Sequence, residues 1–204
     1  MVPFALLALI AGAQSPDFDA VRALPQGVER SQAVIAIVEA APDAQLGEAL
    51  QLGFDDFLAA AGRYDGEVAL PLAEALHARA DAPWSAMSLS LIHTRCGDPS
   101  RGVEVLRKAI VNVQEPATER DLVAALGLAL VVSGQREPGL AAFGSAFCRG
   151  SDNAGVVLGR LALREGRLER ARSIFRTLLR STPPPAWALR GWGLSLLPAG
   201  ARPQ

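Results

Sequence analysis

LGLALVVSGQREPGLAAF occupies residues 126–143, and LGRLALREGRLERARSIF follows it 32 residues later, at residues 158–175. Both stretches begin with Leu-Gly, carry a glycine in the middle and end with phenylalanine. A repeat of this length is typical of solenoids built from helix pairs, in which stacked neighbours bury a continuous core. The sequence therefore predicts stacked helix pairs, an architecture that usually offers a surface and performs no chemistry.

Each copy of the repeat reads as a first helix, a turn and a second helix. Small residues on both helices allow close approach, and a large residue on the second helix fills the space between copies. The turn glycine can adopt the left-handed conformation that ends a helix. In the order first helix, turn and second helix, the three copies supply Leu89-Ser90, Gly97, Gly102 and Leu106; Leu126-Gly127, Gly134, Gly139 and Phe143; and Leu158-Gly159, Gly166, Ala171 and Phe175.

The composition of the 204-residue chain favours an all-α fold. Hydrophobic residues make up 50% of it and aromatic residues only 5%, so the core must consist mainly of Ala, Leu and Val. Ala and Leu are strong helix formers, whereas the β-branched and aromatic runs typical of strands are scarce. This length suits one domain with a well-filled core.

The spacing resembles the tetratricopeptide repeat, whose signature is W-x2-L-G-x2-Y, then A-x3-F, then P. The period of 32 residues is shorter than the family's 34, and one step is 37 residues. The resemblance implies an all-α, right-handed superhelical solenoid of antiparallel helix pairs with a C-terminal capping helix. The matching fragments are Ala86-x2-Leu89-Ser90 with Gly102-x3-Leu106; Val123-x2-Leu126-Gly127-x2-Leu130 with Gly139-x3-Phe143; Gly155-x2-Leu158-Gly159-x2-Ala162 with Ala171-x3-Phe175 and Pro183; and Trp187-x2-Arg190-Gly191.

We predict one continuous solenoid domain over residues 14–204. It comprises degenerate helix pairs at 14–82, three repeats at 83–183, and a capping helix with a tail at 184–204. In the degenerate part, Pro71 is expected in the first turn of its helix, where proline is tolerated. The 37-residue step predicts an extra loop over residues 112–118, ahead of a helix that begins near Glu119.

Residues 1–13, MVPFALLALIAGA, have the features of a cleavable signal peptide. An apolar run precedes a small-x-small pattern at residues 11–13, which is typical of a signal-peptidase site. The run is shorter than the roughly 20 apolar residues of a transmembrane helix. We therefore expect a protein that is exported to the periplasm or secreted and does not span the membrane. The alternative is a first solenoid helix in a cytoplasmic protein.

The two cysteines are not expected to form a disulfide. The repeat register places Cys96 at the end of a first helix and Cys148 at the end of a second helix, on opposite edges of the stack. A disulfide requires Cα atoms within about 7 Å of each other. We therefore expect two free, buried thiols.

The net charge of −1 conceals an asymmetry along the chain. Residues 1–83 carry twelve acidic and four basic side chains, giving −8, whereas residues 152–204 carry three acidic and nine basic ones, giving +6. A solvated surface explains this pattern, and so does a head-to-tail contact between copies of the chain or an acidic partner for the C-terminal end.

The sequence offers no convincing catalytic or metal-binding constellation. His93 and Cys96 are only two ligands, with no second pair to complete a zinc site, and the adjacent carboxylates of Asp55 and Asp56 point about 100° apart on a helix. Arginines in the region 160–180 could grip phosphates, but local pairing with Glu165 and Glu169 explains them better. We therefore predict no enzyme activity, no cofactor, no metal and no nucleic-acid partner.

The resemblance implies a concave groove lined by the first helices, where tetratricopeptide proteins take up an extended peptide or a partner helix. The chain lacks the Lys/Asn arrangement by which some members of the family clamp a C-terminal carboxylate. In the alternative interpretation, the apolar positions of this groove pack against each other or against a capping segment. The predicted groove residues are Trp84, Met87, Leu91, Arg95, Asp121, Leu128, Val131, Asn153, Arg160 and Arg164.

The function predicted from the sequence is an exported scaffold or adaptor that binds a protein or peptide partner in this groove. Two alternatives stay open. One is a structural protein that assembles with copies of itself, and the other is a non-catalytic subunit of an enzyme or envelope complex.

Overall fold

The structure is a computed structural model that describes residues 17–180, 184 and 186–196. The residues so described form helices and no strand, which confirms the predicted all-α class. The predicted signal peptide, Pro183 and the tail after residue 196 lie outside them. The eleven helices of the described part are α1 (Phe18–Arg22), α2 (Val28–Ala40), α3 (Asp43–Gly62), α4 (Gly66–Ala80), α5 (Pro83–Arg95), α6 (Pro99–Asn112), α7 (Pro116–Val132), α8 (Arg136–Cys148), α9 (Asp152–Arg164), α10 (Leu168–Leu178) and α11 (Ala186–Leu196).

The chain divides into two compact units, residues 1–109 and residues 110–204, with the division inside α6. In the first unit, α4 packs against α2, α3 and α5. In the second unit, α7 packs against α8, and α9 packs against α8, α10 and α11. Both units therefore consist of helices packed against their neighbours in the chain, as predicted. The right-handed superhelix and the continuity of the solenoid over residues 14–204 stay predictions.

The first helices of the repeats end at the predicted turn glycines. Gly97, Gly134 and Gly166 have φ angles of 91°, 84° and 70°, which lie in the left-handed region. After Gly134, the amide of Gln135 donates a hydrogen bond of 2.9 Å to the carbonyl of Leu130, which satisfies an otherwise unpaired group at the end of α7. The prediction made for these glycines is confirmed.

Three further helix ends have a left-handed residue, which is Gly150 after α8, Tyr64 after α3 and Asp81 after α4. Tyr64 has φ of 60°. The amide of the next residue, Asp65, donates a hydrogen bond of 3.0 Å to the carbonyl of Ala60, as the amide of Gln135 does to Leu130 after Gly134. A left-handed backbone costs a residue with a Cβ atom about 1–2 kcal/mol. A tyrosine thus takes the left-handed position that glycine holds at the ends of the repeat helices.

Small residues stand where helices approach each other closely, as predicted. The ring of Phe175 lies against Gly159 of its own copy and against Gly191 of the next one. A Cβ atom added to Gly159 would stand 2.6 Å from the Phe175 Cζ, and one added to Gly191 would meet the same atom. Only glycine leaves room for the ring at these two positions, so Phe175 joins successive copies of the repeat.

The predicted position of Pro71 is wrong. The side chain of Asp65 accepts a hydrogen bond from the amide of Val68 and so caps the start of α4, which begins at Gly66. Pro71 consequently lies inside the helix and not in its first turn. Capping by Asp65 therefore decides where this helix begins, even though proline removes one backbone hydrogen bond further along.

The predicted loop over residues 112–118 is also wrong. Asn112 is the last residue of α6, and α7 begins at Pro116, so only residues 113–115 connect the two helices. Proline is well suited to the first helical position because its φ angle is already helical and its missing amide has no partner there. The extra residues of the 37-residue step therefore lengthen helices and do not form a loop.

Candidate partner-binding surface

The predicted groove residues of the first unit lie on α5. Trp84 is half-buried and packs edge-on against Phe54 of α3, with ring centroids 5.2 Å apart and planes at 75°. Met87 and Leu91 are half-buried as well. Trp84 therefore has a partner within its own unit, and only part of its surface is left for another molecule.

Arg95, at the end of α5, contacts the end of α3. Its guanidinium donates a hydrogen bond of 3.0 Å to the carbonyl oxygen of Ala61 and lies 5.0 Å from the centroid of the Tyr64 ring. Lys and Arg side chains are favourable at helix C-termini, where carbonyls lack partners. Arg95 was predicted to line the groove, and in the structure it stabilises the neighbouring helix end.

The predicted groove residues of the second unit lie on α7 and α9. Asp121 and Leu128 are exposed on α7, and Asn153, Arg160 and Arg164 are exposed on α9. Spacings of seven and four residues place side chains on the same face of a helix. Asp121 and Leu128 therefore share one exposed face of α7, and Asn153, Arg160 and Arg164 share one exposed face of α9.

Val131 differs from the other predicted residues of α7. It is half-buried and points at α8, where its Cγ2 atom stands 2.6 Å from the position that a Cβ atom of Gly139 would occupy. Its neighbour Val132 is 50% exposed. Val131 thus fills the contact between α7 and α8. Val132, and not Val131, is the exposed residue at this end of α7.

Some exposed apolar side chains of the second unit recur at equivalent positions of the repeat. Val157 on α9 and Leu189 on α11 are 32 residues apart, and Val132, Arg164 and Leu196 follow the same spacing on α7, α9 and α11. A repeat places equivalent positions on the same side of the stack. We call the resulting surface the α7–α9–α11 stripe, formed by Leu128, Val132, Val157, Arg160, Arg164, Leu189 and Leu196.

The stripe holds most of the exposed large apolar side chains of its unit, the exception among the described residues being Val111 at the end of α6. Among the described residues that follow α6, every large hydrophobic side chain that is classed as exposed belongs to it. Leu189 and Leu196 are each 53% exposed, and Leu128 is 42% exposed. Isolated exposed leucines are common on soluble proteins, but exposed apolar residues that align over successive helices more often mark a binding surface.

The charges on and beside the stripe are not balanced. Arg160 and Arg164 form no hydrogen bond or ion pair with any other described residue. Glu165, the acidic side chain that follows α9, is engaged by Arg136 and by Arg167, the latter at 3.2 Å. The two guanidinium groups of the stripe therefore remain available to another molecule.

Asp121, at the start of the exposed face of α7, is already paired. It accepts a hydrogen bond of 2.9 Å from the guanidinium of Arg120, and this bond raises the pKa of Arg120 above its ordinary value. The carboxylate is thus compensated by its own neighbour in sequence. The positive charges of Arg160 and Arg164 on α9 are therefore not neutralised by Asp121.

Both cysteines are free, as predicted, but the prediction that they are buried is wrong. Cys96 and Cys148 are exposed because each lies at the end of a helix, where the chain turns away from the core. Cys96 lines a pocket of roughly 90 Å³ together with Tyr64 and Arg95. Cys96 therefore borders this pocket at the same helix end that Arg95 contacts.

The adjacent carboxylates on α3 have separate environments, as their spacing predicts. Asp56 is 8% exposed and forms a two-pronged ion pair with Arg30 of α2, with both N···O distances at 2.8 Å. Asp55 is exposed and accepts a hydrogen bond of 2.8 Å from Gln51. Asp56 thus connects two helices of the first unit and does not act in concert with its neighbour.

The histidines have structural surroundings. His93 is 5% exposed within α5, and His77 Nδ1 lies 3.1 Å from the Ser85 hydroxyl oxygen. Within residues 17–180 and the last helix, no three His, Cys, Asp or Glu side chains come close enough to hold a metal ion. None of the helices described there is long and apolar enough to cross a membrane.

Comparison with known proteins gives no significant match: no protein-family model fits the chain, and neither a curated protein nor a solved structure is similar to it. The likeness to the tetratricopeptide repeat therefore rests on the residues of the repeat alone.

Sequence reasoning missed four residues of the stripe, which are Val132, Val157, Leu189 and Leu196. The signal for two of them was present in the 32-residue period, because Val132 and Leu196 each lie one copy away from the predicted groove residue Arg164. Val157 and Leu189 align with no predicted groove residue, and only the structure shows that they are exposed.

Proposed function

We propose that this chain is a tetratricopeptide-like scaffold or adaptor that binds a protein or peptide partner on the α7–α9–α11 stripe. The observation that supports it is that three successive first helices each carry exposed apolar side chains, and that two pairs of them, Val157 with Leu189 and Val132 with Leu196, occupy equivalent positions of the repeat. A row of this kind can cover the apolar face of an extended segment or of a helix. The chain has no catalysis of its own and needs no cofactor in this role.

The resemblance to the tetratricopeptide family supports the same surface. In that family the first helices of the repeats line the binding groove, and α7, α9 and α11 are the first helices here. The proposed site is smaller than the groove predicted from the sequence, because Arg95 contacts a helix end and Val131 fills a helix contact.

Affinity capture from cells that express the tagged chain tests this function. The double variant Leu128→Asp/Leu189→Asp places two charges on the stripe, and Val111→Asp makes the same change at a side chain that is 84% exposed and lies outside it. An apolar contact at the centre of an interface is worth about 2 kcal/mol or more, roughly thirtyfold in affinity. The double variant should lose a partner that the wild type and Val111→Asp retain.

Circular dichroism and thermal unfolding must accompany the capture. The two substituted leucines are half-exposed, so the double variant is expected to remain folded. If a folded double variant retains the same partner at the same yield, the stripe is not the binding site.

Export of the protein belongs to the same proposal. Mass spectrometry of the intact chain from its native cells should show a mature protein that begins after residue 13, in the periplasmic or extracellular fraction. A full-length chain in the cytoplasm contradicts export and leaves the binding surface unaffected.

Self-assembly is a second candidate, which the distribution of charge favours. Residues 17–83 carry twelve acidic and four basic side chains, whereas the described residues from 152 to 196 carry three acidic and eight basic ones. Contacts between exposed charges weaken over a Debye length of about 8 Å at physiological salt. Sedimentation should then show oligomers that dissociate as salt rises, and a monomer at every salt and protein concentration rules assembly out.

A further inference from the structure

The stripe combines apolar and cationic side chains on one helix face. On α9, Val157 precedes Arg160 by three residues, and Arg164 follows Arg160 by four, so the three side chains are neighbours along the helix. The equivalent positions carry the exposed residues Leu128 and Val132 on α7 and Leu189 and Leu196 on α11, together with the half-buried Ala125 and Trp192. Any segment that covers the apolar rows must therefore also meet two guanidinium groups.

Two other arginines of this unit show what compensation looks like. Arg149 pairs with Glu119 at 2.7 Å, and Arg172 pairs with Glu169 at 2.5 Å and donates to the carbonyl oxygen of Ser195. Each of these side chains has a partner on a neighbouring turn or helix. Arg160 and Arg164 have none among the described residues, although Glu165 follows them directly, because Arg136 and Arg167 engage that carboxylate.

We infer that the partner segment is acidic as well as apolar, with carboxylates that pair with Arg160 and Arg164 while its apolar side chains cover Val157 and Leu189. This rests on the proposed function and specifies the chemistry of its partner. Guanidinium–carboxylate hydrogen bonds are charge-assisted and stronger than neutral ones. A basic segment would meet two like charges, which is unfavourable at an interface.

The spacing of the two arginines constrains the segment further. Side chains four residues apart on a helix have Cβ atoms about 5–6 Å apart. Two carboxylates match this separation when they are three or four residues apart on a helix, or when they alternate along an extended chain with a rise of about 3.3 Å per residue. A segment with a single acidic residue would satisfy only one guanidinium.

A polyanion such as single-stranded nucleic acid would also be attracted to these arginines, but it fits the stripe less well. Phosphates would satisfy the guanidinium groups and leave the leucine and valine side chains exposed. Nucleic-acid sites on single strands combine a basic groove with aromatic platforms, whereas the exposed side chains here are aliphatic. An oligonucleotide therefore serves as a comparison ligand in the test.

Fluorescence anisotropy with three short labelled peptides tests this inference. The peptides share the same leucine positions and carry Glu, Gln or Lys at the remaining ones, and a labelled single-stranded oligonucleotide is titrated beside them. The Glu peptide should bind more tightly than the Gln peptide, and the Lys peptide should bind least. The preference should disappear at about 1 M salt, where the Debye length is about 3 Å.

The variant Arg160→Gln/Arg164→Gln should reduce the affinity for the Glu peptide to that for the Gln peptide. Each exposed ion pair contributes up to about fivefold in affinity, so the expected loss is between about twofold and thirtyfold. Arg170→Gln/Arg180→Gln is the matched control, since both of these arginines are exposed and lie off the stripe. The control variant should bind the Glu peptide as the wild type does.

Three results overturn the inference: a Glu peptide that does not bind even at millimolar concentration or binds no better than the Gln peptide, an equal loss in the control variant, or tighter binding of the oligonucleotide through Arg160 and Arg164. Its failure is distinguishable from failure of the proposed function. A cellular partner that Arg160→Gln/Arg164→Gln retains and Leu128→Asp/Leu189→Asp loses would preserve the adaptor function and contradict only the acidic partner.

Discussion

Two glycines of α8 should respond in opposite ways to the same substitution. Gly139 faces α7, where a Cβ atom would stand 2.6 Å from Val131 Cγ2, 2.8 Å from the Gly127 carbonyl oxygen and 3.0 Å from the Val131 amide nitrogen. Gly144 is on the same helix, and a Cβ atom there would meet nothing within 4 Å. Alanine at these positions therefore tests whether α7 and α8 pack as closely as the structure shows.

The expected magnitudes follow from two opposing effects. Replacing a helical glycine with alanine stabilises a helix by roughly 0.5–1 kcal/mol. At Gly144 this gain should appear alone. At Gly139 the new methyl group must displace backbone atoms of α7, and overpacking of this kind costs about 1–3 kcal/mol. With two of the three close atoms in the backbone, we expect a net loss of about 1–2 kcal/mol.

Urea unfolding followed by far-ultraviolet circular dichroism measures the two free energies. Gly144→Ala should shift the midpoint to higher urea, and Gly139→Ala should shift it to lower urea, with similar slopes for both variants. The comparison cancels the gain in helix propensity, since both glycines become alanine in one helix. A Gly139→Ala variant that is as stable as Gly144→Ala would refute the close packing of α7 on α8.

Three further predictions concern the first unit, the thiols and the helix ends. Asp56→Asn should cost about 3 kcal/mol in the free energy of unfolding, because it removes the carboxylate that pairs with Arg30, whose side chain is only 13% exposed. Asp55→Asn at the exposed neighbour should be nearly neutral, and equal effects in urea unfolding would contradict the ion pair between Asp56 and Arg30. In the folded protein, Cys96 and Cys148 should both react with a thiol reagent about as fast as a small-molecule thiol does. If both react only after urea is added, the two thiols are buried. Gly134→Ala should lower stability by about 1 kcal/mol, since alanine is disfavoured at a φ of 84°, and an unchanged melting temperature would argue against the left-handed helix end.

The helix-pair architecture was predictable because the repeat imposes it locally. Gly134 and Gly166 mark helix ends through backbone conformation, which depends on their missing side chains and not on distant contacts. Gly159 and Phe175 likewise recur with the period because their sizes are matched at one contact. Features that each copy needs for its own folding appear in the sequence with the period of the repeat.

Features that depend on a specific neighbour could not be predicted in this way. Arg95 lies at a groove position of the repeat, yet the carbonyl of Ala61 at the end of α3 binds it. Tyr64 adopts a left-handed backbone conformation at a position where the sequence shows no glycine. Val131 and Val132 are adjacent valines, and only the direction in which α7 faces α8 decides which of them is exposed.

Some residues of the candidate surface were assigned from their position in the repeat, and others were overlooked. Leu128, Arg160 and Arg164 were assigned to the groove by their position in the repeat, and the structure leaves them exposed. Leu189 and Leu196 were overlooked because the last copy is incomplete and was treated as a cap for the copy before it. In the structure α11 does pack against α9 and α10, and it also extends the exposed row by one helix.

Site-specific photo-crosslinking in cells tests the central claim most directly, namely that a partner occupies the α7–α9–α11 stripe. A benzoylphenylalanine in place of Val157 reports on the middle of the stripe, and one in place of Arg170 reports on an exposed position of α10 outside it. We predict a discrete adduct from position 157 that disappears in the Leu128→Asp/Leu189→Asp background, and none from position 170. An adduct of equal yield from both positions, or from position 170 alone, would contradict the account.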